Sequence, residues 1–296
     1  MHGSRRACPT LALVLGACLA SGCTNLGAVR EFADSSAKMT DYRAVTNHYL
    51  GTADRELANL PADRRFDATR ENLQALKAAT RQDKATLLRL HATTTGYMSA
   101  LARLAGDDAY AISPGIGKVA GALRASKRLG IDAGHVRAYD NIAGRVSDWL
   151  LAAKQARDVR QLVTENGADM DKLLEAMQRA TEAYGIVLEQ EIQSSELVAD
   201  YRHAQWAAEL PGDAALTPAR RETIAVLLRR SEREDQAAQK QAQRNQRAAA
   251  AGVKRVRQAH KEMLAHVDRL DTDEAEALLR AAADDLESIR ASIDAL

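Results

Sequence analysis

The chain has 296 residues, with 41 Lys or Arg against 40 Asp or Glu, and a formal net charge of +1 implies no nucleic-acid partner. An apolar fraction of 46% is too high for a disordered chain. Only 4% aromatic residues and 5 Pro, in a composition dominated by Ala, Leu, Arg, Glu, Gln and Lys, exclude an all-β fold.

At the N-terminus, Arg5 and Arg6 are the only charges before an apolar stretch from Thr10 to Leu19. The pattern predicts a secretory signal over 1–22. The stretch is shorter than the ~20 residues of a permanent membrane helix, and no later segment reaches that length without charges. Leu19-Ala20-Ser21-Gly22-Cys23 resembles the lipobox of bacterial lipoproteins, whose Cys is acylated and becomes the first residue after cleavage. Ala20 stands where that family most often has Leu. Leu15-Gly16-Ala17-Cys18 has Leu in that place but a shorter apolar run, so Cys23 is the expected site and Cys18 the second choice. After cleavage Cys23 is the last Cys in the chain, and an unmodified lone thiol is a liability in an oxidising compartment. The resemblance implies a palmitate-bearing membrane anchor whose three acyl chains, at ~0.8 kcal/mol per buried CH₂, hold permanently. Thr24 in place of Asp after the Cys implies the outer membrane, with the chain facing the periplasm.

The rest of the chain predicts an elongated all-α bundle of about six long antiparallel helices with coiled-coil-like heptad seams. Leu26 to Leu60 carries apolar residues at three- and four-residue steps and stops at Pro61, predicting a helix over about 26–60. Phe66, Leu73, Thr80, Leu87, Thr94 and Leu101, with Leu76, Leu90, Tyr97 and Leu104, repeat every seven residues and predict a helix over about 64–105. Asp83, Thr80 and Thr94 fall on the seam and predict polar layers within it. Helices over about 132–166 and 168–210 follow, divided at Asn166-Gly167; the second has its seam at Met170, Met177, Tyr184 and Val198. Thr217-Pro218 is the strongest helix start in the chain and opens a helix over about 218–270. Its middle, Glu232 to Gly252, has almost no large apolar residue and predicts little burial. A last helix over about 272–296 carries Leu278, Leu279, Leu286, Ile289, Ile293 and Leu296 on one face. The expected organisation is a bundle over 23–210 and a C-terminal hairpin over 211–296.

Two segments are candidate surfaces. Residues 106–134 are rich in Gly and carry Ile112, Ile116, Val119 and Leu123. They predict a short helix of about 116–128 capping the bundle, or else a tip that enters a membrane or grips a partner, as in helical pore-forming toxins. The other surface is basic. Arg229 to Lys261 is strongly cationic and includes Arg244, Arg247, Lys254, Arg255, Arg257 and Lys261, whereas Asp268 to Asp294 is acidic. Either the last helix folds back and neutralises this set, or the basic face stays open to anionic lipid.

The seven His are dispersed. No HExxH, no paired Glu-x-x-His, no CxxCH, no P-loop and no GxSxG occurs, so no catalytic residue, metal or cofactor is expected. Asp132-x-x-His135 and Asp200-x-x-His203 are the nearest approaches, and one such pair supplies two ligands where a metal needs four or more. The expected function is a structural or interaction role: a lipid-anchored scaffold or adaptor with a protein partner in the envelope. The runner-up is a membrane-active bundle using 106–134. An enzyme or metal carrier comes third, without a supporting motif.

Overall fold

A computed structural model of the chain describes residues 26–40, 42–106, 121–152, 159–209 and 217–294. Cys18 and Cys23 lie outside the described residues, as do Ile112, Ile116 and Val119. The described helices are α1 (Gly27–Thr40), α2 (Arg43–Asn59), α3 (Asp67–Leu104), α4 (Ala133–Ala152), α5 (Val159–Glu209), α6 (Pro218–Ala265) and α7 (Asp273–Asp294), with short 3-10 turns at Arg64–Phe66 and Val267–Arg269. The fold is an all-α bundle. Among the described residues the one β-type pairing is the bridge between Ser126 and Ile131. No described helix is long and apolar enough to cross a membrane.

The heptad residues of α3 do what their spacing demands. Leu73, Thr80, Leu87, Leu90, Thr94, Tyr97 and Leu101 are all buried, because one face of a long helix packs against several neighbours at once. α1 and α2 run in succession along it. Thr40 opposes Thr95 through a 3.2 Å hydroxyl pair, and Lys77 forms an ion pair with Asp54. α5 and α6 are antiparallel partners, tied from His203–Glu232 through Gln246 Nε2 to Thr181 O (2.8 Å) to Arg257–Asp171 (2.9 Å). At ~1.5 Å per residue these two helices are ~75 Å long.

The structure corrects the expected boundaries in three places. The helix expected over 26–60 is two helices. The carbonyl of Thr40, the last residue of α1, faces His91 Nδ1 on α3 at 2.8 Å, and His91 Nε2 meets Thr46 Oγ1 on α2 at 2.8 Å. A carbonyl can only accept, so Nδ1 carries the hydrogen and satisfies the Thr40 carbonyl at the helix end, while Thr40 Oγ1 donates to Ala37 O at 3.2 Å.

The division at Asn166-Gly167 is absent, and α5 runs through it. Asn166 is buried with its amide satisfied: Nδ2 donates to Leu162 O and Oδ1 accepts from Arg145 Nη1, both at 3.0 Å. Gly167 is small because α6 presses on it; a Cβ there would lie 2.8 Å from Leu264 Cδ1. The chain reverses earlier, between α4 and α5, which pair antiparallel through Asn141 and Asp169.

The C-terminal hairpin does not stand apart. Val253, Val256 and Met263 of α6 and Leu279 and Leu286 of α7 belong to the same continuous core as Phe32, Leu87 and Ile142. Thr217 and Thr272 cap α6 and α7, accepting from Arg220 N (3.3 Å) and Ala275 N (3.4 Å). In α6 no residue before Ala249 is buried, so the Gln-rich stretch is as open as its composition demands.

Candidate functional site

Where the N-terminal part of α6 leaves the core, it runs beside α5 and the end of α2. Between the three helices lies a cleft of about 170 Å³ whose charged lining includes Arg55, Glu56, Glu191, His203, Glu232 and Asp235. Past His48 it meets a smaller recess of about 100 Å³ beside Tyr49, Tyr184 and Leu188.

Glu191 forms the floor, with its side chain 8% exposed. Arg55 Nε and Nη2 donate to its two oxygens at 2.7 and 2.8 Å, and Thr52 Oγ1 donates at 2.9 Å. Arg55 Nη2 also reaches the His48 carbonyl at 2.9 Å. His48, Thr52 and Arg55 are four and three residues apart, so α2 presents all three on one face. This fork is the geometry in which a guanidinium and a carboxylate bind most strongly, and it compensates the desolvation of the buried acid.

Burial pushes the pKa of the Glu56 carboxyl up, opposed by a hydrogen bond from Ser194 and raised further by Glu191. Burial and the Arg55 charge hold His48 below the ordinary imidazole range against the pull of Glu191, so it is neutral at pH 7. At the outer rim His203 pairs with Glu232 across α5 and α6. Beyond it Tyr201 donates to Asp63 Oδ2 at 2.9 Å, with Phe66 edge-on at 5.1 Å and the Arg65 guanidinium 4.8 Å from its ring centre. Arg55 with Glu191 and His203 with Glu232 are thus engaged in pairs, and the arrangement braces three helices. Among the described residues no three His, Cys, Asp or Glu side chains could hold a metal ion together. Asp132 and His135 do meet at 2.8 Å, where Asp132 also accepts from the backbone N–H groups of Gly134 and His135 and caps α4.

Glu191 has a signal in the sequence. It occupies the heptad place between Tyr184 and Val198 in the α5 seam. A carboxylate on a seam demands a buried partner, which the His48, Thr52, Arg55 face of α2 supplies.

The six basic residues expected to form a surface are divided by the fold. α7 does fold back on α6, and Arg255 pairs with Asp285 at 2.8 Å. Arg257 instead turns to α5, meeting Asp171 at 2.9 Å and Glu175 at 3.0 Å, and Lys261 also faces Asp171 at 3.7 Å. Masking by the acidic helix is therefore narrower than charge balance suggested. Arg244, Arg247 and Lys254 are exposed on the outer side of α6.

Of the expected tip, Leu123 is described, and it is 3% exposed within the core. Residues 121–128 are not helical, which corrects the short capping helix. Gly121 and Gly130 have φ of +103° and +66°, left-handed conformations that a helix excludes. The segment lies along the flank of α3: Arg89 Nη1 donates to Ala122 O at 2.8 Å, and Arg128 pairs with the buried Asp83. Arg89 is fifteen residues, or ~22 Å, from the end of α3, so this stretch is well removed from the bundle's end.

No known protein family matches the chain, and no curated protein or solved structure is significantly similar to it.

Proposed function

We propose that the chain is a lipid-anchored helical scaffold or adaptor of the bacterial envelope, facing the periplasm and held through acyl chains on Cys23. The anchor rests on the lipobox resemblance of Leu19 to Cys23. The adaptor role rests on one structural observation, the α5–α6 arm. From Pro218 to Ala248 no residue of α6 is buried, and Leu197, Val226 and Leu227 are 69%, 49% and 58% exposed. Large aliphatics held in water on two braced helices contribute nothing to the core, and we read them as surface available to another protein. The start of α1, four residues after Cys23, lies at the opposite end of the bundle, where Arg30 packs against Gly106 and Arg160 meets Asp271 at 3.5 Å. The start of α1 and the exposed aliphatics thus lie towards opposite ends of the bundle, which supports a reading in which acyl chains on Cys23 tether one end and the other carries the contact surface.

A photo-crosslinking residue placed at Leu197 or Leu227 in the full chain, in intact cells, is expected to give a discrete adduct of defined mass. The same residue at Asp140, an exposed site on α4, is expected to give none. An identical adduct pattern from Asp140, or no adduct from the arm, would count against a partner bound there.

A further inference from the structure

The outer side of α6 carries a row of cations. Arg229, Arg233, Lys240, Arg244, Arg247 and Lys254 are exposed and follow one another at intervals of three, four or seven residues, which keeps them on one helix face. The row is ~37 Å long. Three acids occur between its ends, and each is turned aside: Glu232 pairs with His203 of α5, Glu234 accepts from Arg230 Nε at 2.8 Å, and Asp235 lines the cleft.

The helix sorts its charges. On its flanks Arg255 and Arg257 have carboxylates of α7 and α5, whereas Arg233, Lys240, Arg247 and Lys254 have no ion-pair partner among the described residues. Cations whose only role was solubility would not need this separation. The residues between them on the same face are Gln236, Ala237 and Ala251, so the basic side chains stand highest and no large apolar side chain lies among them. The ridge is a row of exposed side chains along one helix face, and none of its six cations lines one of the clefts found among the described residues. Such a shape fits a plane of many phosphates and does not fit a single anion or a groove.

We propose that this ridge docks the protein lengthwise on an anionic lipid surface, which makes the membrane a second binding partner of the rod along its side. The attraction is short-ranged, falling within a Debye length of ~8 Å at physiological salt. The inference rests on the anchored reading in one respect: a tether a few residues from α1 raises the effective concentration of the ridge at the bilayer and turns several weak contacts into a stable orientation.

The full chain carrying Cys23→Ser, which cannot be acylated there, tests the ridge separately from the anchor. It is mixed with phosphatidylcholine vesicles containing about 30% phosphatidylglycerol, or none, at about 50 and about 300 mM NaCl. Binding to the anionic vesicles is expected, falling steeply with salt and nearly absent on the neutral ones. Adding Arg244→Gln, Arg247→Gln and Lys254→Gln should weaken it roughly a hundredfold, at ~5-fold per cation. Lys84→Gln, Lys127→Gln and Arg137→Gln remove the same charge from other exposed faces and should change it less than about twofold if the ridge is the contact. Equal weakening by both triple variants, equal binding to neutral vesicles, or tighter binding to soluble polyglutamate than to the anionic vesicles would each overturn the proposal. These outcomes do not depend on whether Cys23 is acylated in cells, so a failed ridge and a failed anchor give different results.

Discussion

Leu87→Asp is expected to unfold the chain as a whole, with a loss of about 5 kcal/mol. Leu87 is 1% exposed on the α3 seam, and an Asp there would sit one turn from the buried Asp83. Arg128 already serves Asp83, so the second carboxylate would be buried without a counter-charge and against a like charge. Because Val253 of α6 and Leu279 of α7 share one core with Leu87, the C-terminal hairpin should melt together with the rest. Chemical denaturation followed by far-UV and near-UV circular dichroism checks this, with Lys84→Gln as an exposed control. A hairpin that keeps its own transition in the variant, or a loss no larger than the control's, would show that the core is divided.

His260 makes the second large prediction, a pH dependence. It is fully buried on α6, with Tyr97 Oη 3.2 Å from Nε2 and no partner for Nδ1 among the described residues. Burial lowers its pKa to about 4, although the Asp171 carboxylate pulls the other way. In the unfolded chain the same imidazole takes up a proton near pH 6.5. Between those values the unfolded state therefore holds more protons than the folded one, and stability present above about pH 6.5 is lost as pH falls towards 4. The loss assigned to this residue is roughly 2 to 3 kcal/mol at pH 4.5. His260→Gln keeps an acceptor for Tyr97 but does not titrate, so its stability should fall less than the wild type's by that amount between pH 7.5 and 4.5. Parallel curves for the two chains would mean that His260 takes up its proton as readily in the folded chain as in the unfolded one.

The parts of the fold that were legible beforehand are those in which one periodic face meets one core. The α3 heptad, the Met170, Met177 and Tyr184 seam, the Thr217-Pro218 start and the open middle of α6 all follow from local spacing and local chemistry. The misread boundaries depend on distant side chains. The α1–α2 break has no Gly or Pro; it is held by His91, fifty-one residues away along the chain. Gly167 reads locally as a helix stop, yet its small size answers to Leu264 on another helix. Residues 121–128 read as amphipathic helix, and their extended path is held by Arg89, Asp83 and Tyr139, whose hydroxyl donates to Gly121 O at 2.9 Å. The same holds for the charged groups. The basic stretch was evident, but its division into flank cations paired with Asp285, Asp171 and Glu175 and an outward row required knowing which helices lie on either side.

The proposed role stands or falls with attachment at the N-terminus, and acylation there is measured directly by metabolic labelling with a palmitate analogue followed by membrane fractionation. The wild-type chain should be labelled and sediment with membranes, while Cys23→Ala should lose the label and its slow, permanent retention, keeping at most the salt-sensitive association of the α6 ridge. Label that persists in Cys23→Ala and disappears in Cys18→Ala would move the anchor to Cys18 without changing its nature. A wild-type chain that takes up no label at all would contradict the anchored scaffold.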